Sequence, residues 1–179
     1  MLEQGQALPN ELSPEECRFL TAVRQIMEKY FGSDIRCITH AHDVSGYAVT
    51  LLQYIDADPV LTLSACYLHD IGIPEAERKY GHCGGKLQEQ EGPSVARMLL
   101  ADIPTDARLI DQVCELVGVH HTPGALDTPE FRILWDADAL VNLAEVVTGK
   151  EAHEIEKIVD QALVTEPGHR LAREIYLPD

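Results

Sequence analysis

The sequence predicts an all-α fold in a single domain. Three observations carry that expectation: apolar residues recur at helical spacing along most of the chain, helix caps are legible at most boundaries, and no stretch sustains a period-two alternation. The 179 residues, 45% of them hydrophobic, suit one compact core. Residues 13–179 read as the domain. Residues 1–12 read as a flexible tail, because MLEQGQALPNE has neither the basic stretch nor the apolar run of a secretory signal.

The helices follow in order. In SPEE, Ser13 is an N-cap, Pro14 takes the first helical position and Glu16 completes a capping box. Phe19, Leu20, Val23, Ile26, Met27 and Tyr30 then recur at helical spacing until Gly32. A second helix is expected over about Thr39 to Ile55, and Asp58-Pro59 caps a third that reaches Asp70. Pro74 to Lys79 fits a short polar helix. GHCGGKLQEQEGP reads as a polar, glycine-rich loop that runs into a helix ending near Leu100. Thr105 opens a helix through Val117, HHTPGALDTP is a loop, and Thr128-Pro129-Glu130 starts the helix that carries WDADALVN. Beyond Gly149, helices are expected over Lys150 to Leu163 and His169 to Tyr176.

Composition excludes several function classes. A formal charge of −16 disfavours nucleic acid as a partner, since that binding is driven by Lys and Arg displacing counterions. The longest apolar stretch, around VLTLSACYL, falls short of the roughly 20 apolar residues of a membrane span, so no membrane is expected. Cys17, Cys37, Cys66, Cys83 and Cys114 form no CxxC pair, which implies reduced thiols and a cytoplasmic protein.

Chemistry-bearing side chains gather at helix ends and on buried faces. Helical steps from His40 give Val44, Tyr47, Ala48, Leu51 and Ile55, so His40 faces the core, whereas His42 leans toward solvent. His69 and Asp70 are adjacent where an apolar helix runs out. A carboxylate there opposes the helix dipole, and a cation bound by both side chains would compensate it. VGVHHTPG ends another helix with two histidines. In WDADALVN, Asp136 and Asp138 each share a face with apolar residues, and periodicity does not choose between them.

A histidine, then His-Asp, then Asp, each on a separate helix of an all-α domain, resembles the HD superfamily of metal-dependent phosphohydrolases. The resemblance rests on HAHDV, LHDIGI and DADALVN in that order and spans roughly Thr39 to Asn142. It implies His40, His69, Asp70 and Asp138 as metal ligands, with Asp136 supporting them or facing solvent. In similar dinuclear branches a later loop supplies further ligands, here His120 and His121. Glu91 stands where similar proteins carry a histidine before a proline. The GYP signature of the cyclic dinucleotide phosphodiesterases is missing.

By this resemblance Asp70 bridges two cations, with His40, His69 and Asp138 around one and Glu91, His120 and His121 around the other. A water between them would attack phosphorus. Imidazole and carboxylate ligands suit Fe, Mn, Zn, Ni or Co, as one or two ions. Arg78, Lys79 and Lys86 flank the loop after the His-Asp pair and are candidates to bind the phosphate of a small substrate, a nucleotide being expected. His82 is a candidate proton donor to the leaving group. Two rivals remain at this point: a dinuclear-iron oxygenase, and a non-enzymatic module that binds a nucleotide or metal as a signal.

Overall fold

The computed structural model describes residues 12–177; apart from Leu12, the tail expected over residues 1–12 lies outside the described residues. Nine α-helices and no strand occur among the described residues: α1 (Pro14–Phe31), α2 (Ile35–Leu51), α3 (Pro59–Leu68), α4 (Ile73–Tyr80), α5 (Gly85–Leu100), α6 (Ala107–Val117), α7 (Pro129–Val146), α8 (Ala152–Ala162) and α9 (Glu166–Tyr176). The fold is the all-α arrangement that the spacing of apolar residues predicts.

Caps set these boundaries. Ser13 and Glu16 form the expected box at α1, and Gly32 ends the helix at φ +60°. Asp34 accepts from the backbone N–H of Cys37, so α2 begins four residues earlier than expected and holds His40 inside the helix. Asp58 accepts from the N–H groups of Val60 and Leu61 at the start of α3, and its own N–H donates to Glu130 at the start of α7. The largest departure is α5, which starts at Gly85 within the stretch expected to be a loop. After the glycine pair, KLQEQE is a run of strong helix formers, and that propensity outweighs polarity.

The core is built around α3, which packs against α1, α2, α6 and α7. Val60 through Cys66 and Leu68 are all buried, so the helix has almost no wet face. Thr62 and Ser64 donate their hydroxyls to the carbonyls of Asp58 and Val60, at 2.7 and 2.6 Å, which satisfies both in an apolar surround. The apolar run ends at His69, and Ile71, fully buried, anchors the turn that follows.

Asp136 faces neither solvent nor the neighbourhood of the other acidic and imidazole groups. It is fully buried and accepts from Val164 N, Thr165 N and the Thr165 hydroxyl at 2.8, 2.9 and 2.5 Å. Burial pushes its pKa up, while these three donors oppose the rise. The carboxylate thus ties the α8–α9 connection to α7. Any Cβ on Gly168 would collide with Asp136 Oδ2, so only glycine permits this approach.

Gly168→Ala is therefore expected to lower unfolding stability by about 1–3 kcal/mol through overpacking. In an Asp136→Ala background the same change should cost clearly less, because the colliding oxygen is gone. Denaturant melts of the four proteins of this cycle measure the difference.

Candidate metal centre

Six side chains converge between α2, the α3–α4 turn, the turn after α6, and α7. His40 Nε2 lies 3.2 Å from His69 Nε2, 3.6 Å from Asp70 Oδ2 and 3.0 Å from Asp138 Oδ1. His69 Nε2 lies 3.4 Å from Asp70 Oδ2 and 3.7 Å from Asp138 Oδ1. The second Asp70 oxygen, Oδ1, is 3.6 Å from His120 Nε2. Two groups could each hold a cation: His40, His69 and Asp70, and Asp70, His120 and His121, with Asp70 common to both. Asp138 adds a fourth donor to the first.

The two deepest histidines are oriented by the same device. His69 Nδ1 is 2.8 Å from the carbonyl of Cys66, and His120 Nδ1 is 2.7 Å from the carbonyl of Val117, each three residues back at a helix end. A carbonyl only accepts, so in both rings Nδ1 carries a proton, and Nε2 is the nitrogen turned toward Asp70 and available to ligate a cation once deprotonated. Each ring thereby caps an orphan carbonyl of α3 or α6. His120 Nε2 is buried with no hydrogen-bond partner, an arrangement that costs free energy unless something ligates it.

The chemistry of this donor set fits a divalent transition metal. With metal–ligand bonds of about 2.1 Å, neighbouring donors stand about 3.0 Å apart in an octahedron and about 3.4 Å in a tetrahedron. The separations above fall close to those edges. The electrostatics agree: the C-terminal ends of α3 and α6 both direct partial negative charge here. Burial works against charge on His69, but Asp70 and Asp138 outweigh it and raise its pKa. Burial likewise opposes ionisation of Asp70 and Asp138, yet His69 and His120 hold Asp70 well below the usual carboxylate range, and His40 and His69 lower Asp138. The cluster favours positive charge at its centre.

Gly72 lets α5 buttress this turn. A Cβ there would lie 2.5 Å from Gln88 O and 2.8 Å from Gly92 N, so the backbones of the turn and α5 meet only because position 72 has no side chain. α5 in turn fixes His121. Gln88 Oε1 lies 2.9 Å from His121 Nε2, and Glu89 Oε1 accepts from His121 N and the Thr122 hydroxyl. Burial and the neighbouring His120 push the His121 pKa down, keeping the ring neutral and able to donate a lone pair.

Other expected site residues go elsewhere. Glu91 is not brought to the cluster: its carboxylate accepts from Lys79 Nζ at 2.5 Å and from the Tyr80 hydroxyl at 2.9 Å, because the α4 side of α5 offers it a cation. His82 is exposed on the α4–α5 connection, where its Nδ1 accepts weakly from Gly84 N at 3.5 Å. The three expected phosphate-binding cations are each paired: Arg78 with Glu75 through two bonds, Lys79 with Glu75 and Glu91, and Lys86 with Glu89 and Thr122. His42 pairs with Glu28, away from the cluster.

Sequence reasoning missed Gln88 and Glu89, which sit in the stretch expected to be loop, and it missed Arg36. Arg36 is exposed; after Cys37, its charge and its backbone N–H both help to hold the nearby Asp34 carboxyl below its ordinary value. It precedes His40 by four residues on the same face of α2. Burial and Glu77 push the Cys83 thiol up, with Arg36 opposing and Asp70 adding to the rise. The helical step from His40 back to an arginine was the available signal.

Beside the ligands a cavity of 330 Å³ opens, with His120, His121, Asp138 and Asn142 on one wall and apolar side chains of α7 and α8 on the other. Asn142 donates to Asp138 Oδ1 at 2.9 Å. A larger cavity of 560 Å³ lies among α1, α3 and α6, at Glu15, Asp58 and Arg108, and holds none of the clustered histidines. No helix among the described residues is long and apolar enough to cross a membrane.

Comparison with known proteins agrees with this geometry. The HD domain family matches residues 37–143. Among solved structures, YpgQ of Bacillus subtilis is 14% identical with a TM-score of 0.61, covering 89% of this chain and 88% of that chain. A predicted HD superfamily hydrolase from an uncultured Thermotogales bacterium is 25% identical with a TM-score of 0.59, covering 91% of this chain and 86% of that chain. No curated protein matches.

Calorimetric titration of metal-free protein with Mn(II) is expected to show saturable binding that Asp70→Asn abolishes, since that carboxylate serves both groups. Gly72→Ala, which displaces α5 from the turn, should weaken binding by about ten-fold or more while keeping every ligand. His82→Ala and Glu91→Gln should leave the isotherm unchanged.

Proposed function

The chain belongs to the HD domain family, and on that premise we propose that it is a metal-dependent phosphohydrolase of a small phosphorylated molecule, a nucleotide being the expected class. The observation that carries this reading is the shared carboxylate of Asp70, with one oxygen turned to His40 and His69 and the other to His120. A carboxylate placed so could serve two cations at once, the arrangement suited to in-line displacement at phosphorus. The hydrolase description of the Thermotogales neighbour supports the same chemistry.

His40, His69, Asp70 and Asp138 would hold one cation, and Asp70, His120 and His121 a second. When bound, divalent cations there lower the pKa of water toward neutrality and offset the charge that develops on phosphoryl oxygens. The chain's own residues do the positioning. The Cys66 and Val117 carbonyls fix the tautomers of His69 and His120, Asn142 holds Asp138, and Gln88 with Glu89 holds His121. Arg36, one turn before His40 on α2 and beside Asp34, is the cation we assign to the substrate phosphate, a role that its planar fork of donors suits. Arg78, Lys79 and Lys86 would have to leave their carboxylates to do the same.

The test is phosphate release from a nucleotide panel after anaerobic purification and reloading with Mn, Fe, Co, Ni or Zn. Wild-type protein is expected to turn over at least one substrate, and Asp70→Asn to lose about 1,000-fold or more in kcat. Oxygen consumption with iron and no phosphate release would favour an oxygenase instead. Arg36→Ala should raise KM about ten-fold, the loss of one charge-assisted hydrogen bond, with kcat little changed. Arg78→Ala should alter neither.

A further inference from the structure

The cavity beside the ligands has a chemical character that narrows the substrate. Its far wall is Trp135, Ala139, Leu143, Val146, Ile158 and Ala162, and no Lys or Arg lines it. Apart from His120 Nε2, which faces the ligand cluster, the polar groups that line it are engaged. The Trp135 N–H donates to the Ala162 carbonyl at 2.9 Å, Asn142 donates to Asp138, and His121 Nε2 is held by Gln88. With its N–H pinned at one edge, the indole offers the cavity apolar ring surface. The Phe131 ring, 6.1 Å away at 44°, braces it from within the same helix.

Charge supply points the same way. The chain carries −16, and the cations on α4 and at the start of α5 are neutralised by Glu75, Glu89 and Glu91. A triphosphate brings about four negative charges at neutral pH and would need cations arrayed along its length, because each unpaired charge loses hydration without return. No Lys or Arg lines the cavity to meet such a chain of phosphates. The site is therefore supplied for one phosphoryl group, at the ligand cluster.

Resting on the phosphohydrolase reading, we propose that the substrate is a phosphomonoester with a single phosphoryl group at the ligand cluster and an uncharged, flat body seated against Trp135. A nucleoside monophosphate or an aryl phosphate has this form; nucleoside triphosphates and dinucleoside polyphosphates do not. Flat rings gain from stacking on an indole, and an apolar body gains from leaving water for this wall. Discrimination comes from the cavity wall, and the ligands contribute equally to any phosphoryl group.

Trp135 is the single tryptophan of the sequence, so its fluorescence reports occupancy of this cavity without interference. Mn(II)-loaded protein is titrated with three probes that resist hydrolysis: benzylphosphonate, methylphosphonate and the β,γ-methylene analogue of ATP. Benzylphosphonate is expected to give a saturable change in Trp135 emission. Its calorimetric affinity should exceed that of methylphosphonate and of the ATP analogue by at least ten-fold. Ala139→Leu, which fills the cavity, should remove most of the benzyl advantage and spare methylphosphonate binding. Equal affinity for the benzyl and methyl probes, or tightest binding of the ATP analogue, would overturn the proposal. Because no probe is turned over, these outcomes are independent of whether the protein hydrolyses anything. A chain that releases phosphate yet prefers the triphosphate analogue would keep its hydrolase reading and lose this one.

Discussion

The site depends on two hydrogen bonds that look incidental: the Nδ1 of His69 to the Cys66 carbonyl and the Nδ1 of His120 to the Val117 carbonyl. Each satisfies a carbonyl left over at a helix end, and each fixes which imidazole nitrogen is free. Without them either ring could turn or change tautomer, and the two Nε2 atoms would no longer meet at Asp70. With them, two helix C-termini bring both a donor and a partial negative charge to the same place. The adjacency of His69 and Asp70 follows from this. The histidine faces inward to cap α3 while the next residue, already in the turn, swings its carboxylate between the two histidines.

The helix ends and the inward His40 were legible in the sequence, because they are local. Apolar spacing gave the helices, Ser13, Asp58 and Thr128 gave their starts, and the placement of His69 and His120 just past apolar runs marked helix ends. The inward face of His40 followed from a stripe of apolar residues four and seven positions on. What could not be read is what depends on which charges meet across helices. Arg78, Lys79 and Lys86 looked like phosphate ligands only because Glu75, Glu89 and Glu91 had not yet been placed beside them. Glu91 was a candidate metal ligand because it stands where similar proteins carry a histidine; the cation that takes it lies on α4, twelve residues upstream in sequence and 2.5 Å away in space. Asp136 and Asp138 sit two positions apart on α7, and what separates their roles is the α8–α9 connection, which offers Asp136 three donors.

The α5 stretch is the most instructive departure. Read as loop, GHCGGKLQEQEGP hides two residues that hold the site together; as helix, it places Gln88 and Glu89 on one buried face and aligns both on His121 and Thr122. Position 72 makes this possible, since any side chain there would force the backbone of α5 away from the His-Asp turn. The glycine in LHDIG is therefore a packing residue for a helix that starts thirteen positions later.

These supports make the two halves of the cluster mechanically unequal. His40, His69 and Asp138 stand on α2, at the end of α3 and on α7, elements that pack directly on one another at the core. His121 is the most exposed of the clustered histidines, although its ring is partly covered, and it is positioned through side chains of α5, a helix that meets the His-Asp turn across a glycine. A cation in the first half would be held by groups with little freedom to move, because a close-packed interior resists displacement. The second half is adjustable, and it is also the half that borders the Trp135 cavity through His120 and His121. A substrate body that fills that cavity presses on the same two histidines that would hold the second cation. Occupancy of the second position and of the cavity should then be coupled, each favouring the arrangement of His121 that the other requires.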